Sequence, residues 1–208
     1  MLPREYPNWK LTYYYFRLWR MNGVWEQIHD IMREDLRVKP DREPTPSAAI
    51  IDSQSVKTTQ KCGPRGYDAG KKVNGRKRHV VVDTMGLLLT RVVHIASIQD
   101  RDGTKLVFMQ SLGKFPRLKL NWADGGYAGK LVEWVEAFGA WILEIVKRPD
   151  GAKGFVLLKR RRVVERTFAW LCLFRRLSED YEERTETSET VIRICMIHLM
   201  VRRLASMP

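Results

Sequence analysis

The run Ala48-Ala49-Ile50-Ile51-Asp52-Ser53 constrains this chain more than any other stretch. A short apolar run suits a central strand rather than an amphipathic helix. It ends in a carboxylate, so the sheet it belongs to carries a negative charge at its centre. The chain downstream supplies the rest of such a sheet. Residues 79–95 have the form of a β-hairpin, with Val80, Val81 and Val82, the turn Asp83-Thr84-Met85-Gly86, and an apolar return over 87–95. Asp100 or Asp102 can cap a helix reaching about residue 112. Residues 118–122 read as a strand entering Ala123-Asp124-Gly125-Gly126-Tyr127. A helix over 128–140 places Leu131, Val132, Val135 and Phe138 on one side, and 141–147 alternates as another strand. Pro149-Asp150-Gly151 turns the chain into a helix with Val164, Phe168 and Leu171 at i, i+4, i+7. A last helix over 188–204 carries Val191, Ile194, Cys195, His198 and Leu199 as its core face. The order β-β-β-α-β-α-β-α predicts a mixed α/β domain, a sheet flanked by helices, in the order of the RNase H-like fold.

Residues 1–36 read as a helical hairpin ahead of that domain. Tyr13, Tyr14, Tyr15, Phe16 and Trp19 crowd its first helix, Asn22-Gly23 marks a turn, and Trp25, Ile28, Ile31 and Met32 share a side of the second. Aromatics at helical spacing are expected in a core: either the hairpin packs on the main domain or it is the remnant of a larger N-terminal domain; stacking on nucleic-acid bases is the alternative. Pro40, Pro44 and Pro46 mark 37–47 as a linker. The expected division is therefore 1–36, 37–47 and 48–208.

Charge narrows the partners. Lys plus Arg number 37 against 24 Asp plus Glu, a net +13. Nucleic acid or an anionic membrane surface is the default partner of such a chain. No stretch approaches the ~20 apolar residues of a membrane span; the best, 191–200, contains Arg193 and His198. The first residues show no short apolar core with a cleavage site, so no secretory signal is expected. The expectation is a soluble, cytoplasmic protein facing DNA or RNA. Cys62, Cys172 and Cys195 form no CxxC pair, which suits reduced thiols. His29, His79, His94 and His198 lack metal-ligand spacing. Residues 57–78 hold Lys57, Lys61, Arg65, Lys71, Lys72, Arg76, Lys77 and Arg78 among four glycines. The glycine spacing and the missing Ser or Thr exclude a phosphate-binding P-loop. A flexible basic loop contacting phosphates is expected instead.

In the predicted topology the first and fourth strands end side by side, at Asp52 and Asp124. A helix after the fifth strand can bring Glu165 to the same edge. Three carboxylates suit Mg²⁺ or Mn²⁺. Two such ions ~3.5–4 Å apart can drive an in-line displacement at phosphorus. Each residue alone has an ordinary explanation: Asp52 as a strand-end cap, Asp124-Gly125 as a turn, Arg161 and Glu165 as an exposed i, i+4 pair. Asp83 reads as a turn residue, and Asp100 and Asp102 as helix caps. What sets the three apart is that one fold brings them together in a basic chain.

Several motifs resemble a known family. They are 51–57 (IDSQSVK), 70–79 (GKKVNGRKRH), 122–127 (WADGGY), 163–170 (VVERTFAW), then Phe174-Arg175-Arg176-Leu177 with Asp180-Tyr181-Glu182. In this order they resemble the DDE transposases of bacterial insertion sequences, of the IS-five or IS-four type. The resemblance implies an RNase H-like catalytic domain with Asp52, Asp124 and Glu165 holding two Mg²⁺ or Mn²⁺ ions. It implies that water frees a 3′-hydroxyl at the element's ends, and that this hydroxyl then attacks target DNA. Double-stranded DNA, as terminal inverted repeats and target, is the implied partner, with a homodimer assembled on it. Lys57, Lys71, Lys72, Arg76, Lys77, Arg78, Arg161, Arg166, Arg175 and Arg176 are the expected DNA contacts. The related signature places a tyrosine seven residues before the glutamate, an arginine four before and a basic residue seven after. Arg161 matches; Leu158 and Cys172 stand at the other two, and Arg162 where a tryptophan is usual. Such transposases usually carry a longer N-terminal region, so the chain is expected to begin inside it. An inactive DNA-binding remnant, or a nuclease or resolvase of the same fold, is the alternative.

Overall fold

The computed structural model describes residues 5–61, 63–147, 158 and 160–207. Two helices lead, α1 (Trp9–Met21) and α2 (Val24–Val38), followed by β1 (Ala48–Lys57), β2 (Gly66–Asp68), β3 (Val73–Asp83) and β4 (Leu88–Ile95). Then come α3 (Asp100–Ser111), β5 (Leu120–Ala123), α4 (Lys130–Gly139), β6 (Ile142–Ile145), α5 (Arg161–Cys172) and α6 (Thr185–Ala205). The strands form one mixed sheet. β3 pairs antiparallel with β1 on one edge and with β4 and the short β2 on the other. β5 lies parallel to β1, and β6 parallel to β5. The path β4-β3-β1-β5-β6 is the RNase H-like order expected from the sequence.

Alternation along the strands explains why helices cover both faces. Ala49, Ile51 and Val81 join Val107 and Phe108 of α3 and Leu131 and Val135 of α4 in one core. Ile50, Val80 and Val82 join Val164, Phe168 and Leu171 of α5 and Val191 and Ile192 of α6 in the other. A strand apolar on both faces must be sandwiched, since each buried Val, Leu or Ile contributes about 1.5–3 kcal/mol.

β3 begins at Val73, six residues before the expected start, so 57–78 is not one basic loop. The consequence corrects three expected DNA contacts: Arg76, Lys77 and Arg78 are buried. Arg76 donates to the carbonyls of Pro64 (3.0 Å), Glu182 (2.7 Å) and Glu183 (2.7 Å), and pairs with Asp180 at 3.2 Å. Arg78 donates to the carbonyls of Leu177 (2.7 Å) and Glu179 (3.0 Å). Lys77 points to the other face, onto Asp100 (2.9 Å) and the Ile98 carbonyl (2.9 Å). These charges tie the 177–183 segment and α3 to the sheet and face no solvent.

The N-terminal hairpin also departs from expectation. Asn22 and Gly23 make the turn, Gly23 at φ +71°, where glycine meets no steric penalty. Yet α1 buries none of its residues, and Trp9, Tyr13, Tyr14 and Tyr15 are exposed. Its rings meet mainly one another and α2, as in the Trp19–Trp25 contact at 5.1 Å. α2 does the packing: Leu36 joins Leu87 and Met200, and buried Arg37 pairs with buried Asp83. Asp83 also accepts from the amides of Met85 and Leu87, both at 2.8 Å, and so forms the β3–β4 turn.

Arg76→Ala is expected to lower unfolding free energy by about 3–5 kcal/mol, because it removes a buried ion pair with Asp180 together with the bonds to the Pro64, Glu182 and Glu183 carbonyls. Exposed Arg175→Ala should change it by less than about 0.5 kcal/mol. Urea denaturation of the two variants checks the contrast.

Candidate active site

The parallel register of β1 and β5 builds the centre of the site. Ala48 lies opposite Leu120, Ala49 opposite Asn121 and Ile50 opposite Trp122. Two residues further on, the same register reaches Asp52 and Asp124. Ile50 and Trp122 belong to the core beneath α5 and α6, and two residues on keeps the same face. Both carboxylates therefore leave the sheet on the side that α5 covers.

Each aspartate is held locally. Asp124 follows the end of β5 with extended backbone and accepts from the Gly126 amide at 2.8 Å, which starts the tight turn Gly125–Tyr127. Asp52 accepts from the Ser53 amide at 2.7 Å. Burial pushes the Asp52 carboxyl up to about 6, and the Asp124 charge adds to that rise. The Ser53 amide, Arg161 and Lys71 oppose it without cancelling it. Two carboxylates side by side leave the site short of positive charge.

Glu165 comes from α5. The helix docks Val164, Phe168 and Leu171 on the sheet and leaves Glu165 exposed one turn beyond Arg161. A single nitrogen of Arg161, Nη2, stands 3.4 Å from Asp124 Oδ2 and 3.7 Å from Glu165 Oε1. The guanidinium thus bridges the strand carboxylate and the helix carboxylate. Among the described residues, no three His, Cys, Asp or Glu side chains stand close enough together to hold a metal ion. The donor chemistry nonetheless fits one. The oxygens are hard ligands, Asp52 and Asp124 share a charge-deficient edge, and a cationic group already sits between Asp124 and Glu165. Asp52, Asp124 and Glu165 are carboxylates that could hold Mg²⁺ or Mn²⁺.

The basic residues fall into groups. Besides Arg161, Lys71 reaches the residue after Asp52, donating to the Ser53 carbonyl (3.1 Å) and hydroxyl (3.4 Å), with its own amide held by Asp68 at 3.0 Å. Lys57, Lys72, Arg175 and Arg176 are exposed, Arg176 paired with Glu182 at 2.7 Å. Arg166 is exposed and stacks on Trp170 at 4.8 Å. Cys172 is exposed and accepts from Gln54 Nε2 at 3.4 Å, two residues past Asp52 on β1. It therefore faces the strand that carries the first aspartate. Lys159, Cys62 and the turn at 149–151 lie outside the described residues.

Two features escaped the sequence reading. Arg160 stacks over Trp122 at 4.6 Å and pairs with Glu144, to which Trp122 also donates at 3.1 Å. Trp122 sits two residues before Asp124, and that offset was the available signal. Behind Asp52, on the opposite face, Ser53 donates to Asp100 at 2.9 Å, Lys77 joins them, and His79 meets His94 at 2.8 Å. Burial holds both histidines below their ordinary range, so they are neutral. Asp100 is not the helix cap expected: Gln99 holds that position, and the Asp100 side chain serves Ser53 and Lys77.

No helix among the described residues is long and apolar enough to cross a membrane. The profile of the family described as “Transposase DDE domain” matches residues 43–200. Comparison with curated proteins gives no match.

The raised Asp52 carboxyl has a defined pH signature. A folded-state value above the unfolded one favours folding at low pH, and that contribution is lost as pH climbs from about 4 to about 6. Asp52→Asn is therefore expected to be more stable than the wild type at pH 7, by about 3 kcal/mol, and to gain nothing at pH 3.5. Denaturant melts of both proteins in chelator-treated buffer across that range check the difference.

Proposed function

The chain belongs to the transposase DDE domain family, and from that premise we propose that it cuts DNA at element ends and joins those ends to target DNA. The observation that carries this reading is the register-matched pair Asp52 and Asp124, tied to Glu165 through Arg161. The family match covers all three. The net charge of +13 supports a polyanionic substrate.

The chemistry asks for two displacements at phosphorus in one site. In the first, a water oxygen attacks the phosphate at the element's end and the 3′-oxygen leaves. In the second, that 3′-oxygen attacks a target phosphate and displaces the target's own 3′-oxygen. Bound Mg²⁺ or Mn²⁺ supplies Lewis acidity at the phosphate and lowers the cost of the oxygen nucleophile. The protein's own part is placement. β1 and β5 fix Asp52 and Asp124 on a rigid sheet, where a small misplacement would be costly. Gly125 and Gly126 carry no side chain and allow a strand to approach Asp124. Lys71 and Arg161 set positive charge beside the carboxylates, and Lys57, Lys72, Arg166 and Arg175 offer exposed contacts to the flanking phosphates.

A second reading, DNA binding without strand cleavage, is favoured by one feature. At the position where the related signature has a cation, Cys172 stands instead and accepts from Gln54. The two readings separate in one assay. Duplex DNA from the flanks of the reading frame is incubated with the protein and Mg²⁺ or Mn²⁺, and free 3′-hydroxyl ends are counted. Metal-dependent cleavage that falls at least about 10³-fold in each of Asp52→Asn, Asp124→Asn and Glu165→Gln is expected. Salt-sensitive binding with no cleavage by the wild type would establish the second reading.

A further inference from the structure

We propose that Arg161 competes with the divalent cation for Asp124 and Glu165, so that DNA binding and cation loading assist one another through this side chain. The proposal rests on the reading of Asp52, Asp124 and Glu165 as the cation-holding set and adds a residue that controls access to it.

The geometry points there first. One guanidinium nitrogen contacts both carboxylates, so it stands between the two groups that a shared cation must join. While it is there, Asp52 and Asp124 are adjacent, but no three carboxylates gather on one point among the described residues. The bridge is also loose. Its contacts of 3.4 and 3.7 Å exceed the ~2.7–2.9 Å of a strong charge-assisted hydrogen bond. Both the arginine and its partners are partly open to solvent. Arg161 is the first residue of α5, where the helix dipole disfavours a cation, and the preceding Arg160 provides no side-chain cap. The side chain is held mainly by the two carboxylates, and a stronger cation or a better anion can displace it.

DNA supplies the better anion. A guanidinium binds phosphate through two parallel hydrogen bonds, a match its single-nitrogen contact here does not use. A phosphate that takes Arg161 frees Asp124 and Glu165 for the cation. Coupling of this kind is reciprocal, so bound cation raises affinity for DNA by the same factor. Neighbouring Arg160 is held by both Trp122 and Glu144, whereas Arg161 makes only the longer contacts of 3.4 and 3.7 Å to Asp124 and Glu165 among the described residues.

Mn²⁺ binding, followed by the electron paramagnetic resonance signal of free Mn²⁺, tests this without any catalytic readout. The full chain is titrated without DNA as wild type, Arg161→Gln, Arg161→Lys and Asp124→Asn. Arg161→Gln is expected to bind Mn²⁺ about tenfold more tightly, since a positive charge ~4 Å from the carboxylates is gone. Arg161→Lys keeps the charge and should match the wild type. A short duplex should then tighten Mn²⁺ binding in the wild type by a larger factor than in Arg161→Gln. Unchanged or weaker binding by Arg161→Gln, or equal factors in the two proteins, would overturn the proposal while leaving the triad in place. If Asp124→Asn binds Mn²⁺ as the wild type does, the triad reading itself fails.

Discussion

The parallel pairing of β1 with β5 is the constraint on which the rest depends. It needs Ile50 beside Trp122, and that contact delivers Asp52 and Asp124 to one edge and one face of the sheet. A slip of one residue would turn either aspartate to the opposite face. The slip is opposed by packing on both sides. Ala49, Ile51 and Ala123 are enclosed by Tyr127 and Leu131, while Ile50 and Trp122 meet α5. The carboxylate pair is thus a by-product of a buried strand pairing that is apolar except at Asn121. Burial, with the Asp124 charge adding to it, raises the Asp52 carboxyl, and Arg161 offsets part of that rise.

The positive charge of the chain does two different jobs. Arg76 and Arg78 are internal fasteners, holding the carbonyls of 177–183 against β3, and Asp180 closes the arrangement by accepting from Ser188 at 2.7 Å. Arg91 and Arg193 likewise lie inside, near Glu26 and Glu189, where α2 and α6 cover the β4 edge. Arg33, Arg37 and Lys77 are buried as well, so among the described residues it is the exposed and partly exposed cations that can meet a polyanion. Those nearest the carboxylates, Lys71 and Arg161, touch the residues that build the site.

Much of the fold was legible because its elements are short apolar runs with one clear period each. The strand at 48, the hairpin turn at 83–86 and the helix bearing Val164, Phe168 and Leu171 all follow from spacing. What misled was charge. Residues 73–78, Val-Asn-Gly-Arg-Lys-Arg, look like solvated loop. They form the start of β3 because their partners come from 177–183, about a hundred residues away, and local pattern carries no trace of them. The aromatics of α1 misled the other way: helical spacing suggested a core, but Trp9, Tyr13, Tyr14 and Tyr15 stay exposed. At the site, the order of strands brought the two aspartates together, whereas the bridge from Arg161 to both carboxylates depends on where α5 sits, which spacing alone does not give.

The central claim is that the β1–β5 register makes Asp52 and Asp124 the two halves of one cation site. Anomalous scattering from crystals soaked in Mn²⁺ locates that site directly. The account predicts a peak bonded to carboxylate oxygens of both Asp52 and Asp124, with the Arg161 guanidinium turned away from Asp124. A peak that bonds neither aspartate, or full Mn²⁺ occupancy with Arg161 still bridging Asp124 and Glu165, would contradict it.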